Sequence, residues 1–121
     1  MNMRTIRIHA YGGPDVMQME EQSLPLPGPG QALVKVHAAG VNFLDVQERR
    51  GDLATQSFYE TNGISAALGL EGAGVIEAVG PDVSHLRTGD RVAWAGISGS
   101  YATHVLAPAS RLVPIPDQGR T

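Results

Sequence analysis

Glycine and proline punctuate this chain so densely that few apolar runs can grow into an extended helical core. Fifteen glycines and eight prolines are spread over 121 residues, and short segments of alternating apolar and polar side chains lie between them. A period of two sends alternate side chains to opposite faces of a strand, so the pattern predicts a mainly β domain with many turns. Ile6 and Ile8 alternate with Arg7 and His9 before a turn at Tyr11–Asp15, and Met17 and Met19 alternate with Gln18 and Glu20 after it. The three prolines of "LPLPGPG", residues 24–30, forbid regular pairing and mark a connector. Val34, Val36 and Ala38 then share one face of a strand, with Lys35 and His37 on the other. Residues 72–80, 91–95 and 100–107 supply further strands. "RLVPIP", residues 111–116, reads as an edge strand, because Pro114 has no amide to donate to a ladder.

One helix interrupts this pattern, at Phe43–Arg50. Phe43 and Val46 fit a 3.6-residue period, Asp45 and Arg49 stand in favourable i,i+4 order, and Gly51 is placed to close the helix as its C′ residue. Asn42 precedes the first turn. It is among the best N-cap residues, and Asp45 three places on suits the first-turn amides and the helix dipole. A capping side chain can still present its amide to a ligand, so Asn42 has two compatible roles. Residues 52–67 form a long mixed loop without a clear period.

The bulk numbers exclude several classes of function. A net charge of -3 and a pI near 5.7 offer little to nucleic acid or an anionic membrane, and the nine basic residues are scattered. With no cysteine there is no disulfide, catalytic thiol or thiolate metal site. The start "MNMRTIRIHAYGG" has no apolar signal run, which makes a cytoplasmic location the expectation. Residues 92–110 lack Asp, Glu, Lys and Arg over 19 positions, but their glycines, serines and Pro108 suit two strands around a turn better than a membrane span.

"GLEGAG", residues 69–74, resembles the start of a dinucleotide fingerprint. After Gly72 and Gly74 the pattern needs a glycine at 77, where Glu77 stands, and a period-two segment follows instead of a helix. These glycines fit a bulged strand lying close to another backbone. His9, His37, His85 and His104 fall far apart with no ligand spacing, and His9 and His37 read as outward strand positions. Glu71, a carboxylate between glycines, is either a solvated or arginine-paired acid or part of a cleft lining.

Taken together, "PGPGQALVKVHAAGVNFLDV", "GLEGAGVIEAVGPDVSHLRTGDRVAW" and "GSYATHVLAPASRLVPIPD" resemble the N-terminal part of the quinone oxidoreductase branch of the medium-chain dehydrogenase/reductases. The resemblance runs from about Met3 to Asp117. It implies a GroES-like, partly open β-barrel over residues 1–117, a short tail at 118–121, and a cleft whose other wall is an NADPH-binding Rossmann domain lying outside these residues. Zinc-dependent relatives carry a cysteine ligand at the Asn42 position and a histidine ligand at the Leu70 position, so the resemblance implies metal-independent hydride transfer to a quinone or enone. On this reading Asn42 contacts the cofactor, while Gln47, standing where the branch usually has tyrosine, and Tyr59 or Phe58 from the long loop shape the acceptor pocket. The chain alone is then expected to be inactive and to expose surface that self-associates or receives the Rossmann half. A free-standing GroES-like barrel serving as a non-catalytic binding or assembly module is the alternative.

Overall fold

The structure, a computed structural model, describes residues 1–51 and 66–116. Among these residues the fold is mainly β, as the punctuation predicts, with eight strands in two open antiparallel sheets and one α-helix. The strands are β1 (Asn2–Ile8), β2 (Met17–Ser23), β3 (Gln31–Ala39), β4 (Ala66–Ala67), β5 (Glu71–Val79), β6 (Arg91–Ala95), β7 (His104–Pro108) and β8 (Val113–Pro114). The first sheet runs β2-β1-β4 and the second β7-β3-β5-β6-β8. Neither closes on itself, which is the partly open barrel expected.

Residues 101–103 tie the two sheets together. The Ile6 amide donates to the Tyr101 carbonyl at 2.9 Å, the Thr103 amide to the Arg4 carbonyl at 2.9 Å, and the Val36 amide to the Thr103 carbonyl at 2.9 Å. Thr5 and Ala102 form an isolated bridge at the same point. This segment falls within the stretch read as a strand from Ser100, but the strand itself begins at His104.

The main core lies on the second sheet, where Val34, Ile76, Leu86, Val92, Trp94, Val105 and Leu112 pack together with the buried alanines. Each fully buried aliphatic side chain there contributes about 1.5–3 kcal/mol relative to exposure. A smaller cluster of Ile8, Leu68 and Leu70, flanked by Leu44 and Tyr101, supports the helix. At the far edge of the second sheet, β8 pairs Val113 with Ala93 and Pro114 with Val92, the position a proline tolerates.

Two local expectations need correction, and one strand forms as expected with its apolar side chains outward. Strict alternation along β3 fails: Leu33 and Val34 are both buried and Ala38 is exposed, because register shifts at Leu33/Val34 and Val36/Ala38 turn the strand over. Met17 and Met19 do lie in a strand, yet Met19 is 66% exposed, since β2 is the outer strand of its sheet and nothing described covers that face. The helix also turns a different face inward. Phe43 is 65% exposed beneath the Arg50 guanidinium, 5.6 Å from its ring centre, while Asp45 is buried.

Candidate functional site

The helix α1 spans Phe43–Arg50, as its sequence signals predict, and both ends are tied down. Gly51 closes it with φ +83°, its amide donating to the Gln47 carbonyl at 3.0 Å. A Cβ on Gly51 would meet the Tyr11 ring at 2.6 Å, so glycine is needed there for space as well as for conformation. The Gly12 amide donates to the Arg49 carbonyl at 2.8 Å, which anchors the last turn to the first hairpin.

At the other end the cap is built differently from the expectation. The Asn42 amide donates to Asp45 Oδ2 at 2.9 Å, and the Asp45 amide donates back to the Asn42 carbonyl at 3.0 Å. Asp45, the third helical residue, therefore does the capping through its carboxylate, the half of a capping box normally made by Glu. No hydrogen bond from the Asn42 side chain to a helix amide occurs among the described residues. Among the described residues the carboxamide is not used for the cap, and the capping half of its expected double role passes to Asp45.

Asp45 is 5% exposed. Its Oδ2 also accepts a 2.6 Å hydrogen bond from the Tyr101 hydroxyl, while its Oδ1 has no hydrogen-bond partner among the described residues. The i,i+4 ion pair with Arg49 is likewise not formed among them. Burial first, then the hydrogen bond to Asp45 and its negative charge, push the Tyr101 hydroxyl well above the ordinary tyrosine range. Tyr101 is fixed from both sides, its amide donating to the Leu68 carbonyl at 3.1 Å and its carbonyl accepting from Ile6.

Next to this turn lies a hollow of about 310 Å³ lined by Asn42, Leu44, Leu70, Glu71 and Gly96. Three separate segments converge on it. Leu70 and Gly96 are held together because the Gly96 amide donates to the Leu70 carbonyl at 2.8 Å. Glu71 lies half-buried against Gly40, where a Cβ would stand 2.1 Å from its Oε2, and the Gly40 amide donates to the Glu71 carbonyl at 3.1 Å. No arginine pairs with Glu71 among the described residues, and its side chain, half open to solvent, borders the hollow. The hollow thus offers one carboxamide and one carboxylate above two leucines.

Gln47 is half-buried on α1 and is not among the described residues lining the hollow. Tyr59 and Phe58 lie outside the described residues. Among the described residues no group of three His, Asp or Glu side chains could hold a metal ion. His104, for example, faces Glu77 at 3.3 Å and Thr103 at 3.0 Å, while His9 and His37 are exposed as expected. No helix among the described residues is long and apolar enough to cross a membrane.

The glycines of residues 69–74 do what a close-packed strand requires. A Cβ on Gly72 would meet the Ala38 carbonyl oxygen at 2.7 Å, and one on Gly74 the Lys35 carbonyl oxygen at 2.1 Å. Both sit in the β5 ladders to β3 and β6. From Glu71 to Gly74 the backbone is committed to neighbouring strands and does not form the free glycine-rich turn that a phosphate would need.

Residues 28–117 match the family model described as the alcohol dehydrogenase GroES-like domain. The chain belongs to that family. The GroES-like domain here is 41% identical over 116 residues to the quinone oxidoreductase of Pseudomonas aeruginosa, covering 94% of this chain and 34% of that protein. Among solved structures it is similar to Escherichia coli quinone oxidoreductase complexed with NADPH, with TM-score 0.83 and 31% identity over 95% of this chain and 34% of the other. It is also similar to the JamJ enoyl reductase, with TM-score 0.85 and 26% identity over 94% of this chain and 35% of that one. The chain spans about a third of the length of these relatives.

Proposed function

We propose that this GroES-like domain forms the substrate-side wall of an NADPH-dependent, metal-independent quinone or enone reductase, acting together with a separate cofactor-binding domain. The observation that carries this reading is the hollow lined by Asn42, Leu44, Leu70, Glu71 and Gly96. Its residues fit the nicotinamide end of the cofactor: a carboxamide free of the helix cap, set beside two leucines. They do not fit the pyrophosphate, because the glycine-rich run is spent in strand pairing. When bound, NADPH supplies the hydride.

The chain's own contribution is positioning. Asn42 hydrogen-bonds and orients the nicotinamide side, while Leu44 and Leu70 exclude water from the space where donor and acceptor meet. With Leu70 and Asn42 where zinc-dependent relatives place ligands, no metal polarises the acceptor, so rate enhancement rests on alignment and hydrogen bonding. Gln47, Tyr59 and Phe58 shape the acceptor side. Glu71 adds a negative charge at the rim, which favours neutral acceptors over anionic ones.

The test is a hybrid in which this chain replaces the matching third of the Pseudomonas aeruginosa quinone oxidoreductase. The hybrid should oxidise NADPH in the presence of quinones or simple enones without added metal. A well-folded hybrid that binds NADPH but reduces none of these acceptors would overturn the reading and favour a non-catalytic binding module.

A further inference from the structure

We infer that Tyr101 and Asp45 form a positioning clamp that fixes Asn42 for its contact with the cofactor, an inference that rests on the cofactor-facing reading of Asn42. The two peptide groups flanking Asn42 govern where its Cα–Cβ bond points, and Asp45 holds both of them. The Asn42 amide donates to Asp45 Oδ2 at 2.9 Å and the Asn42 carbonyl accepts from the Asp45 amide at 3.0 Å. Once these are set, the carboxamide retains only two side-chain torsions with which to reach the hollow it lines.

Asp45 does not hold this orientation unaided. Its carboxylate is buried and one oxygen has no partner among the described residues, so the 2.6 Å bond from Tyr101 is what stops it rotating away from the Asn42 amide. Tyr101 in turn is built into the joint between the two sheets through Leu68 and Ile6. A rigid path therefore runs from the sheet joint, through a hydroxyl and a carboxylate, to the turn that carries Asn42. A charge-assisted hydrogen bond of this length is well suited to such a job, because it is stronger and more directional than a neutral one.

Two readouts test the clamp, and the first needs no cofactor. In the 121-residue chain, Tyr101→Phe should speed hydrogen exchange at the Asn42 amide by a clearly larger factor than at the core amide of Ile76, whose acceleration reports only the global loss of stability. Equal acceleration at both amides, or none at Asn42, would overturn the proposal by reducing Tyr101 to general stability or to no role. Asp45→Asn, which keeps the shape and removes the charge, should give the same local effect and serves if Tyr101→Phe folds poorly.

The second readout is the NADPH dissociation constant of the hybrid, measured without acceptor. Asn42→Ala and Tyr101→Phe should each weaken binding by about three- to tenfold, the value of one hydrogen bond. The double variant should be no weaker than Asn42→Ala alone, because Tyr101 acts through Asn42. Full additivity would overturn the clamp. Asn42→Ala with unchanged affinity would instead overturn the cofactor-facing reading, and the exchange measurement would still decide whether the clamp exists.

Discussion

Replacing Gly74 with alanine puts the two meanings of a glycine-rich segment in direct competition. A Cβ at Gly74 would lie 2.1 Å from the Lys35 carbonyl oxygen, 3.0 Å from the carbonyl carbon and 3.0 Å from Val34 Cγ1. The first obstacle is backbone and cannot rotate aside, so β3 and β5 would have to part by roughly 1 Å at the Val36–Gly74 pair. Overpacking alone costs about 1–3 kcal/mol, and stretching the flanking ladder bonds adds about 1 kcal/mol each. A loss of about 3 kcal/mol or more is expected, a large share of the ~5–15 kcal/mol that holds a typical domain. Urea unfolding, followed through the single buried Trp94, measures it. Gly28→Ala is the control: its Cβ would meet only Gln31 Oε1, the side-chain acceptor of the Gly28 amide, at 3.3 Å, so its change should stay within about 1 kcal/mol. A Gly74→Ala protein as stable as the control would refute the argument that β5 is glycine-rich because strands crowd it.

Tyr101→Phe should cost about 1.5–3 kcal/mol at neutral pH, the range for a hydrogen bond to a charged acceptor. Because folding raises the Tyr101 pKa, the hydroxyl's contribution is full below the ordinary tyrosine value of about 10 and is lost as pH climbs beyond it. Wild-type stability should therefore fall more steeply than that of Tyr101→Phe in alkaline urea titrations, and parallel curves would contradict the Asp45 bond. Leu26, Val41, Phe43, Met19 and Val113 are all well exposed, and β2 presents an outer strand edge, so the chain alone should self-associate. Light scattering that gives a clean monomer at high concentration would count against it.

Local rules made much of this fold legible. Period-two alternation locates the strands except β4, Ala66–Ala67, which falls in the stretch read as a loop; Gly51 and the polar residue at 42 bracket the helix to its observed ends, and Glu77 breaks the phosphate-loop pattern. The misses share a cause, which is that tertiary partners override local pattern. The bulges of β3 depend on the register with β5, and Phe43 lost the buried face of α1 to Leu44 and Asp45 because the small cluster and Tyr101 lie on that side. Asp45 carried a readable signal in its capping-box spacing from Asn42. Its partner Tyr101 is 56 positions away and carried none, since only the joint between the sheets brings the two together. Of the candidate site, Asn42 and Glu71 both line the hollow, Gln47 is not among its described lining residues, and Tyr59 lies outside the described residues.

Calorimetric titration with NADPH, run on the 121-residue chain and on the hybrid side by side, tests most directly whether this domain is one wall of a cofactor cleft. The Asn42 carboxamide can offer one or two hydrogen bonds worth about 0.5–1.5 kcal/mol each, far below the roughly 8 kcal/mol of a micromolar complex. The chain alone should release no binding heat below millimolar NADPH, and the hybrid should bind in the micromolar range. Micromolar binding by the chain alone would contradict the account, because it would require a phosphate site that its strand-paired glycines do not provide.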